Sequence, residues 1–180
     1  MSRPLDETFF RRSTLSVARN LLGKRLCRRY RGEQISGIIT ETEAYDGPHD
    51  LASHASRGRT PRTEVMFGPP GTIYVYLVYG MHWCLNMVTG PTDYPAAVLI
   101  RGVRIDGVPQ KQTNGPGKVC RVLKINGQLN ARSLARSTGL WVEDVGTIVP
   151  TRQIKKTPRI GVDYAGAYRD KPWRFVWIGE

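Results

Sequence analysis

The residues best suited to chemistry lie between Glu41 and Arg62. Two carboxylates and a tyrosine alternate in E-T-E-A-Y, at Glu41, Glu43 and Tyr45, and a loop with two histidines and three arginines follows. Because side chains alternate along a strand, these three should share one face. A carboxylate held there can take a proton from water as a general base, or it can be an ordinary solvated acid. Alternation alone does not say which glutamate would be the base.

Flat and polar side chains recur on the strands predicted downstream. Tyr74 and Tyr76 share one strand face, Asn86 interrupts an apolar strand, and Arg101 ends another. Each has a structural interpretation: a core ring, a satisfied amide or a strand-end charge. Together they predict a pocket with a carboxylate floor and aromatic walls. Such a pocket suits a flat base, because stacking on one ring stabilises by roughly 1–3 kcal/mol and a positive charge on the base adds a cation–π attraction.

The net charge indicates nucleic acid as the partner. Among 180 residues, 27 are Lys or Arg and 15 are Asp or Glu, a formal charge of +12. Nucleic acid is the first expectation and an anionic membrane surface the second. A protein that acts on a base within a duplex must turn that base out of the stack, and something must fill the gap. Tyr79, beside Gly80 at the end of the strongest predicted strand, is either that wedge or an unremarkable surface ring.

The remaining chemistry-bearing residues predict neither a metal nor a cofactor. The three cysteines and three histidines lack the spacing of zinc ligands, and an odd number of distant cysteines gives no disulfide framework. Buried thiols in a reducing compartment are expected. Residues 1–8 lack the apolar run of a signal peptide, and no segment approaches a membrane span. The expected location is therefore cytoplasmic, at the bacterial nucleoid, without membrane association.

The elements that must position these residues predict an α+β fold in one domain over residues 1–180. The architecture is a curved, mostly antiparallel β-sheet with peripheral helices. The apolar periodicity predicts helices at Ser13–Leu22, 118–125 and 131–137. Asp6 is expected to cap a shorter turn before the first of them. Strand character is found at 37–42, 72–79, 83–88, 96–101, 141–149 and 173–178.

Seven segments resemble the alkyladenine (3-methyladenine) DNA glycosylases, in a bacterial form. The resemblance extends from the first helix almost to the C-terminus. The segments are E-T-E-A-Y at 41–45, S-H-A-S-R-G-R-T-P-R at 53–62, M-F-G-P-P-G-T-I-Y-V-Y-L-V-Y-G-M at 66–81, C-L-N-M at 84–87, A-V-L-I-R at 97–101, G-P-G-K-V-C at 115–120 and R-I-G-V-D-Y-A-G at 159–166. The loop between His54 and Pro61 differs by small substitutions, and Thr63 stands where Asn is common in the family. These departures bear on substrate breadth.

The resemblance implies a monofunctional DNA glycosylase that flips a damaged purine out of double-stranded DNA. It would hydrolyse the N-glycosidic bond as a monomer, without a lyase step, and so begin base excision repair. The family's substrates include 3-methyladenine, 7-methylguanine, hypoxanthine and ethenoadenine. A compact single-domain fold with a protruding β-hairpin that enters the minor groove is also implied.

The resemblance also assigns roles to particular residues. Glu43 would be the general base, and Arg101 would help to hold the nucleotide and the attacking water. Tyr79 would be the intercalating wedge. Tyr45, His54 and Tyr76 would form the stacking walls, with Asn86 crowding the amino group of normal guanine and the main-chain carbonyl of Ile160 facing the water. Contacts to the DNA backbone are expected from Arg57, Arg59, Arg62 and Lys118.

Two other classes of function stay open from the sequence. One is a non-catalytic, basic nucleic-acid-binding module with the same charge and aromatic residues. The other is a nucleosidase acting on free nucleosides, which would not need a surface charge of this size. Loss of base release on changing Glu43 would distinguish an enzyme from a binder.

Overall fold

The computed structural model describes residues 2–179 and places nine strands of that range in one antiparallel sheet. The strands are β1 (Arg3–Pro4), β2 (Arg25–Tyr30), β3 (Glu33–Asp46), β4 (Ile73–Val78), β5 (His82–Val88), β6 (Ala96–Arg104), β7 (Leu140–Asp144), β8 (Ile154–Thr157) and β9 (Arg174–Trp177). The main order is β1-β7-β2-β3-β6-β5-β4, while β9 pairs with β3 and with β8. The predicted α+β class with a mostly antiparallel sheet is confirmed.

The central strand β3 organises the site because it has neighbours on both edges. One edge pairs with β6; the other pairs with β2 along its first part and with β9 at Glu41–Glu43. The pairing with β6 shifts register on either side of Glu41, so Arg101 lies between the pairs Glu41–Gly102 and Thr42–Ile100 without a partner of its own on β3. Such a bulge bends a strand and re-aims side chains.

Three α-helices accompany the sheet within residues 2–179: α1 (Glu7–Phe10), α2 (Thr14–Leu21) and α3 (Pro116–Val122). The Asp6 side chain accepts from the amide of Phe9 at 3.3 Å, which confirms the predicted cap. Helix α2 packs on β3, and α3 packs on β5 and β6. Single 3-10 turns occur at His54–Arg57, Glu64–Phe67, Gln110–Gln112, Gly127–Leu129, Thr151–Gln153 and Gly166–Tyr168. None of the helices in this described range could cross a membrane.

The largest core cluster lies between these helices and the sheet, and two smaller clusters accompany it. Val17 and Leu21 of α2 and Val119 of α3 have no exposed surface, and they pack with Leu85 of β5 and Ile100 of β6. Burying an aliphatic side chain of this size stabilises by about 1.5–3 kcal/mol. The packing therefore holds fixed the strands that carry the candidate site residues.

The hairpin formed by β4 and β5 ends in an exposed turn, as expected. Both Tyr79 (φ +50°) and Gly80 (φ +66°) adopt left-handed backbone, as type I′ turns require at their two central positions. The amide of Met81 closes the turn onto the carbonyl of Val78 at 3.0 Å. Tyr79 is 88% exposed, so the turn carries a large ring into solvent at a backbone conformation that costs a non-glycine residue energy.

Two expectations about elements were wrong. The segment 131–137 is not a helix, because its backbone bonds to the start of the hairpin instead: the amide of Ala131 donates to Ile73, and that of Leu134 to Gly71, both at 2.9 Å. Ala131 also has φ +63°, which interrupts a helix. The strand predicted over 141–149 ends at Asp144. Strands β1, β2 and β8 were not predicted.

Candidate active site

A cleft of about 1050 Å³ lies beside the β4–β5 hairpin. Its walls come from β3 to β6, from the loops around 52–54 and 160–164, and from the start of α3. Of the residues predicted from the sequence, those lining it are Tyr45, His54, Arg62, Tyr76, Tyr79, Asn86, Arg101, Lys118 and Ile160. A volume of this size holds a nucleotide and leaves room for the flanking backbone.

Glu43 lies under this cleft and is fully buried. Its carboxylate accepts from the hydroxyl of Tyr45 at 2.8 Å and from the main-chain amide of Ile160 at 2.8 Å. The guanidinium of Arg101 approaches it at 3.5 Å. Burial raises the pKa of Glu43; the charge of Arg101, the Ile160 amide and the Tyr45 hydroxyl oppose that rise without cancelling it. Glu43 is thus a buried carboxyl with donors aimed at its ionised form and a tendency to take up a proton.

Glu41 has a different environment two residues away. One carboxylate oxygen, Oε1, accepts from Nε of Arg101 at 3.0 Å and from Nε of Arg174 at 2.6 Å. Neither glutamate is among the residues that line the cleft, but Glu43 bonds directly to Tyr45 and Ile160, which do, whereas Glu41 reaches the cleft through Arg101. The structure therefore separates the two glutamates that alternation left equivalent.

The aromatic walls form a connected group. The rings of His54 and Tyr76 have centroids 4.6 Å apart at 73°, and those of Tyr74 and Tyr76 are 5.2 Å apart. The imidazole Nδ1 of His54 lies 3.1 Å from the hydroxyl of Tyr74. Burial, with smaller effects from the charges of Arg62 and Arg57, lowers the pKa of His54 to about 4. His54 is therefore a neutral ring at neutral pH, and it does not repel a cationic base.

Asn86 lies on the same wall and is 3% exposed. Its amide nitrogen donates to the main-chain carbonyls of Tyr74 at 3.3 Å and Cys84 at 3.4 Å. These bonds tie the side chain to the two strands of the hairpin. A fixed, buried amide at the cleft wall can discriminate between bases by shape and by hydrogen bonding.

Ile160 donates its main-chain amide to Glu43, whereas the expectation concerned its main-chain carbonyl and a water. The resemblance pointed to its main-chain carbonyl, while the bond that the structure contains is from the Ile160 amide to Glu43. The carbonyl's role towards a water stays a prediction.

The four basic residues expected at the DNA backbone have unequal surroundings. Arg62 lies 5.2 Å above the Tyr76 ring, and Lys118 donates to the carbonyl of Lys111 at 2.9 Å; both line the cleft. Arg57 is exposed at the end of the His54–Arg57 turn. Arg59 is held by ion pairs with Glu64 at 2.8 Å and with Asp93, and it covers the Phe67 ring.

The sequence analysis missed a buried ion pair beneath the cleft. Arg159 and Asp50 have fully buried side chains, with bonds of 2.5 and 2.8 Å between them. Arg159 also donates to the carbonyl of Ala44 at 2.8 Å and lies 4.8 Å from the Tyr45 ring. Asp50 follows His49 in the loop after β3, and no motif or spacing in that loop predicts a buried carboxylate. Within residues 2–179 no group of three or more His, Cys, Asp or Glu could hold a metal ion.

A buried carboxylate beneath aromatic walls in a strongly basic chain is compatible with a DNA glycosylase, and comparison with known proteins shows the family. The model of the family described as methylpurine-DNA glycosylase matches residues 8–180. The chain belongs to this methylpurine-DNA glycosylase family.

Similar proteins occur in several organisms. One from Myxococcus xanthus is 49% identical over 178 residues, covering 98% of this chain and 90% of the relative. One from Methanocella arvoryzae is 47% identical, covering 95% and 90%. One from Rickettsia rickettsii (strain Sheila Smith) is 46% identical, covering 96% and 89%. All three are provisionally named 3-methyladenine DNA glycosylases. The alignments span nearly the whole chain, so the resemblance concerns the entire fold.

Proposed function

We propose that this protein excises methylated purines from damaged double-stranded DNA, with Glu43 as the general base. The observation that supports this most directly is the position of Glu43: a fully buried carboxylate, bonded to Tyr45 and Ile160, beneath a cleft walled by aromatic rings. The names of the relatives point to 3-methyladenine as a substrate. The family resemblance extends the proposal to 7-methylguanine, hypoxanthine and ethenoadenine.

When the purine is already cationic, the reaction needs a base more than it needs an acid; a neutral purine such as hypoxanthine must also gain a proton to leave as a neutral base. Glu43 takes a proton from water, the water oxygen bonds to the sugar C1′, and the C1′–N bond breaks with its electrons going to the purine. A methylated purine such as 3-methyladenine is cationic in DNA, so it leaves as a neutral base. The transition state resembles an oxocarbenium ion, and the negative charge of an ionised Glu43 stabilises it. Arg101 balances that charge and holds the nucleotide.

The walls and the hairpin serve the flipped nucleotide. Tyr45, His54 and Tyr76 stack on the extruded base, and a neutral His54 allows that base to be cationic. Tyr79, 88% exposed at the end of the hairpin, fills the gap in the duplex. Asn86 excludes normal guanine. Arg57, Arg62 and Lys118 contact phosphates, and one protein copy acts alone.

The test is base release by Glu43→Gln. Oligonucleotides with one lesion each are incubated with excess enzyme, and abasic sites are counted after alkaline cleavage. General-base catalysis contributes about 10²–10⁴-fold, so the rate should fall by at least that lower factor while lesion binding persists. The matched control is Glu33→Gln, which changes an exposed acid at the far end of the same strand and should leave the rate unaltered.

The same assay separates the rival functions. A non-catalytic nucleic-acid-binding module releases no base from any lesion in the wild-type form. A nucleosidase releases bases from free nucleosides at least as fast as from DNA and without salt dependence. Unchanged release by Glu43→Gln would remove Glu43 from the role of base.

A further inference from the structure

Glu41 is the group whose role the proposed chemistry leaves open. Its carboxylate is buried, and one oxygen holds two guanidinium groups, those of Arg101 at 3.0 Å and Arg174 at 2.6 Å. A buried carboxylate is costly to keep unless it is paired, and two cations on one oxygen exceed what neutralising it requires. One of those cations, Arg101, also reaches Glu43.

Arg101 is shared unequally between the two glutamates. Its Nε lies 3.0 Å from Glu41 and 3.5 Å from Glu43. The pair with Glu43 is therefore the looser one, although Glu43 is the more deeply buried acid. With Arg174 included, the cluster holds two carboxylates and two guanidinium groups, and their formal charges cancel.

We propose that Glu41 is a positioning residue that holds Arg101 away from full pairing with Glu43, and so preserves Glu43 as a base. This inference rests on the proposed function, in which Glu43 takes the proton from water. A carboxylate fully paired with a guanidinium binds a proton weakly. Because Glu41 holds Arg101, the guanidinium stays near Glu43 without forming a close ion pair with it. Arg101 can then orient the water and the nucleotide while Glu43 remains able to accept a proton.

The groups around Glu43 indicate that loss of the Glu41 charge lowers the pKa of Glu43. The charged and titratable groups facing it come from five strands: Glu41 and Tyr45 of β3, Tyr76 of β4, Cys84 of β5, Arg101 of β6 and Arg174 of β9. Among them the Glu41 charge raises the pKa of Glu43, and the Arg101 charge lowers it. Removing the Glu41 charge therefore lowers the pKa of Glu43 twice over, by losing a repulsion and by releasing Arg101.

The test is the pH dependence of single-turnover base release by Glu41→Gln. The substrate is a duplex with the methylated purine that the wild-type enzyme releases fastest, because a leaving group that is already cationic needs no acid. We expect the plateau rate to fall roughly tenfold, the size of coupling within one salt-bridge network. The acid limb of the profile should move to lower pH, in keeping with a lowered pKa of Glu43. A purely structural role would change folding without moving that limb.

Arg174→Gln is the matched control. It removes the other partner of Glu41 and leaves the Glu41–Arg101 pair in place. Its acid limb should stay or move to higher pH, opposite to that of Glu41→Gln. In an Arg101→Gln background, Glu41→Gln should move the acid limb by less, since only the direct repulsion between the two glutamates is then lost.

Two outcomes would overturn the inference. One is that Glu41→Gln leaves the acid limb in place or moves it to higher pH. The other is that Glu41→Gln shifts the limb by the same amount in the Arg101→Gln background as in the wild-type protein. If Glu41→Gln does not fold, Glu41→Asp keeps the charge but withdraws it from Arg101, and it must move the limb in the same direction by less. Failure of the proposed function is recognised separately: Glu43→Gln would then release base normally, whatever Glu41 does.

Discussion

Removing one partner of the buried pair of Asp50 and Arg159 should strongly destabilise the protein. Both side chains have no exposed surface. Asp50 accepts from Arg159 at 2.5 and 2.8 Å and from the amides of Asp46 and Ala52 at 3.1 Å each. Replacing Asp50 by Asn leaves the Arg159 charge buried and sets amide hydrogens against guanidinium hydrogens. Breaking such a pair from one side costs about 3–5 kcal/mol.

That cost is large enough to measure by heat and by urea. For a protein of this size each kcal/mol moves Tm by about 2–4 °C, so Asp50→Asn should lower Tm by roughly 6–20 °C. The assay is unfolding followed by circular dichroism, with the free energy of unfolding extrapolated from urea. A suitable control is Glu64→Gln, which breaks the exposed pair with Arg59 and should cost at most about 1 kcal/mol.

A double-mutant cycle tests the reasoning behind that value. Arg159→Met alone leaves the buried Asp50 charge without a partner. The double variant, Asp50→Asn with Arg159→Met, leaves no buried charge unpaired. The double variant should therefore lose less free energy of unfolding than the sum of the two single variants. Additive losses, or a loss below about 1 kcal/mol for Asp50→Asn, would refute the idea that an uncompensated buried charge sets the cost.

Three more results are expected. Burial raises the pKa of Glu43 in the folded protein. The protonated carboxyl therefore contributes to stability below the unfolded pKa of 4.5, and this contribution is lost as the pH rises through the folded pKa. Glu43→Gln should thus raise Tm at neutral pH, and the gain in Tm should shrink in acid. Tyr79→Ser should weaken lesion-duplex binding more than it slows base release once bound, and equal binding by the two proteins would exclude the wedge. Rates at limiting enzyme should fall steeply with salt, and Arg57→Gln should reduce the slope by about 1. Arg59→Gln should reduce it less, because Glu64 and Asp93 already hold that guanidinium.

Most of the fold could be predicted because its elements have local signals. Helix α2 has apolar residues at helical spacing, and β4 is a run of β-branched and aromatic residues. Strand β2 lacks such a signal. Its sequence, R-L-C-R-R-Y, reads as polar, yet Leu26, Cys27 and Arg28 are buried between two neighbouring strands. Tertiary pairing, which no local pattern contains, makes that segment a strand.

The site was predictable in its residue types but not in its connections. Alternation placed Glu43 and Tyr45 on one face, and their hydrogen bond of 2.8 Å agrees with that placement. The long-range partners had no such signal: the Ile160 amide lies 117 residues from Glu43 in sequence, and Arg174 lies 133 residues from Glu41. The contact of Arg174 follows from how β9 docks on β3, which depends on the whole sheet.

The bulge at Glu41 explains how one strand gives two acids different surroundings. In regular pairing Arg101 would face a single residue of β3; the register shift instead lets its guanidinium reach both carboxylates. Gly102 permits this, since a Cβ there would lie 2.9 Å from the Thr40 hydroxyl and 3.1 Å from the Glu41 Cβ. A side chain at position 102 would push Glu41 from Arg101. The difference between the proposed base and the proposed positioning residue therefore resides in the pairing of β3 with β6, not in the two glutamates themselves.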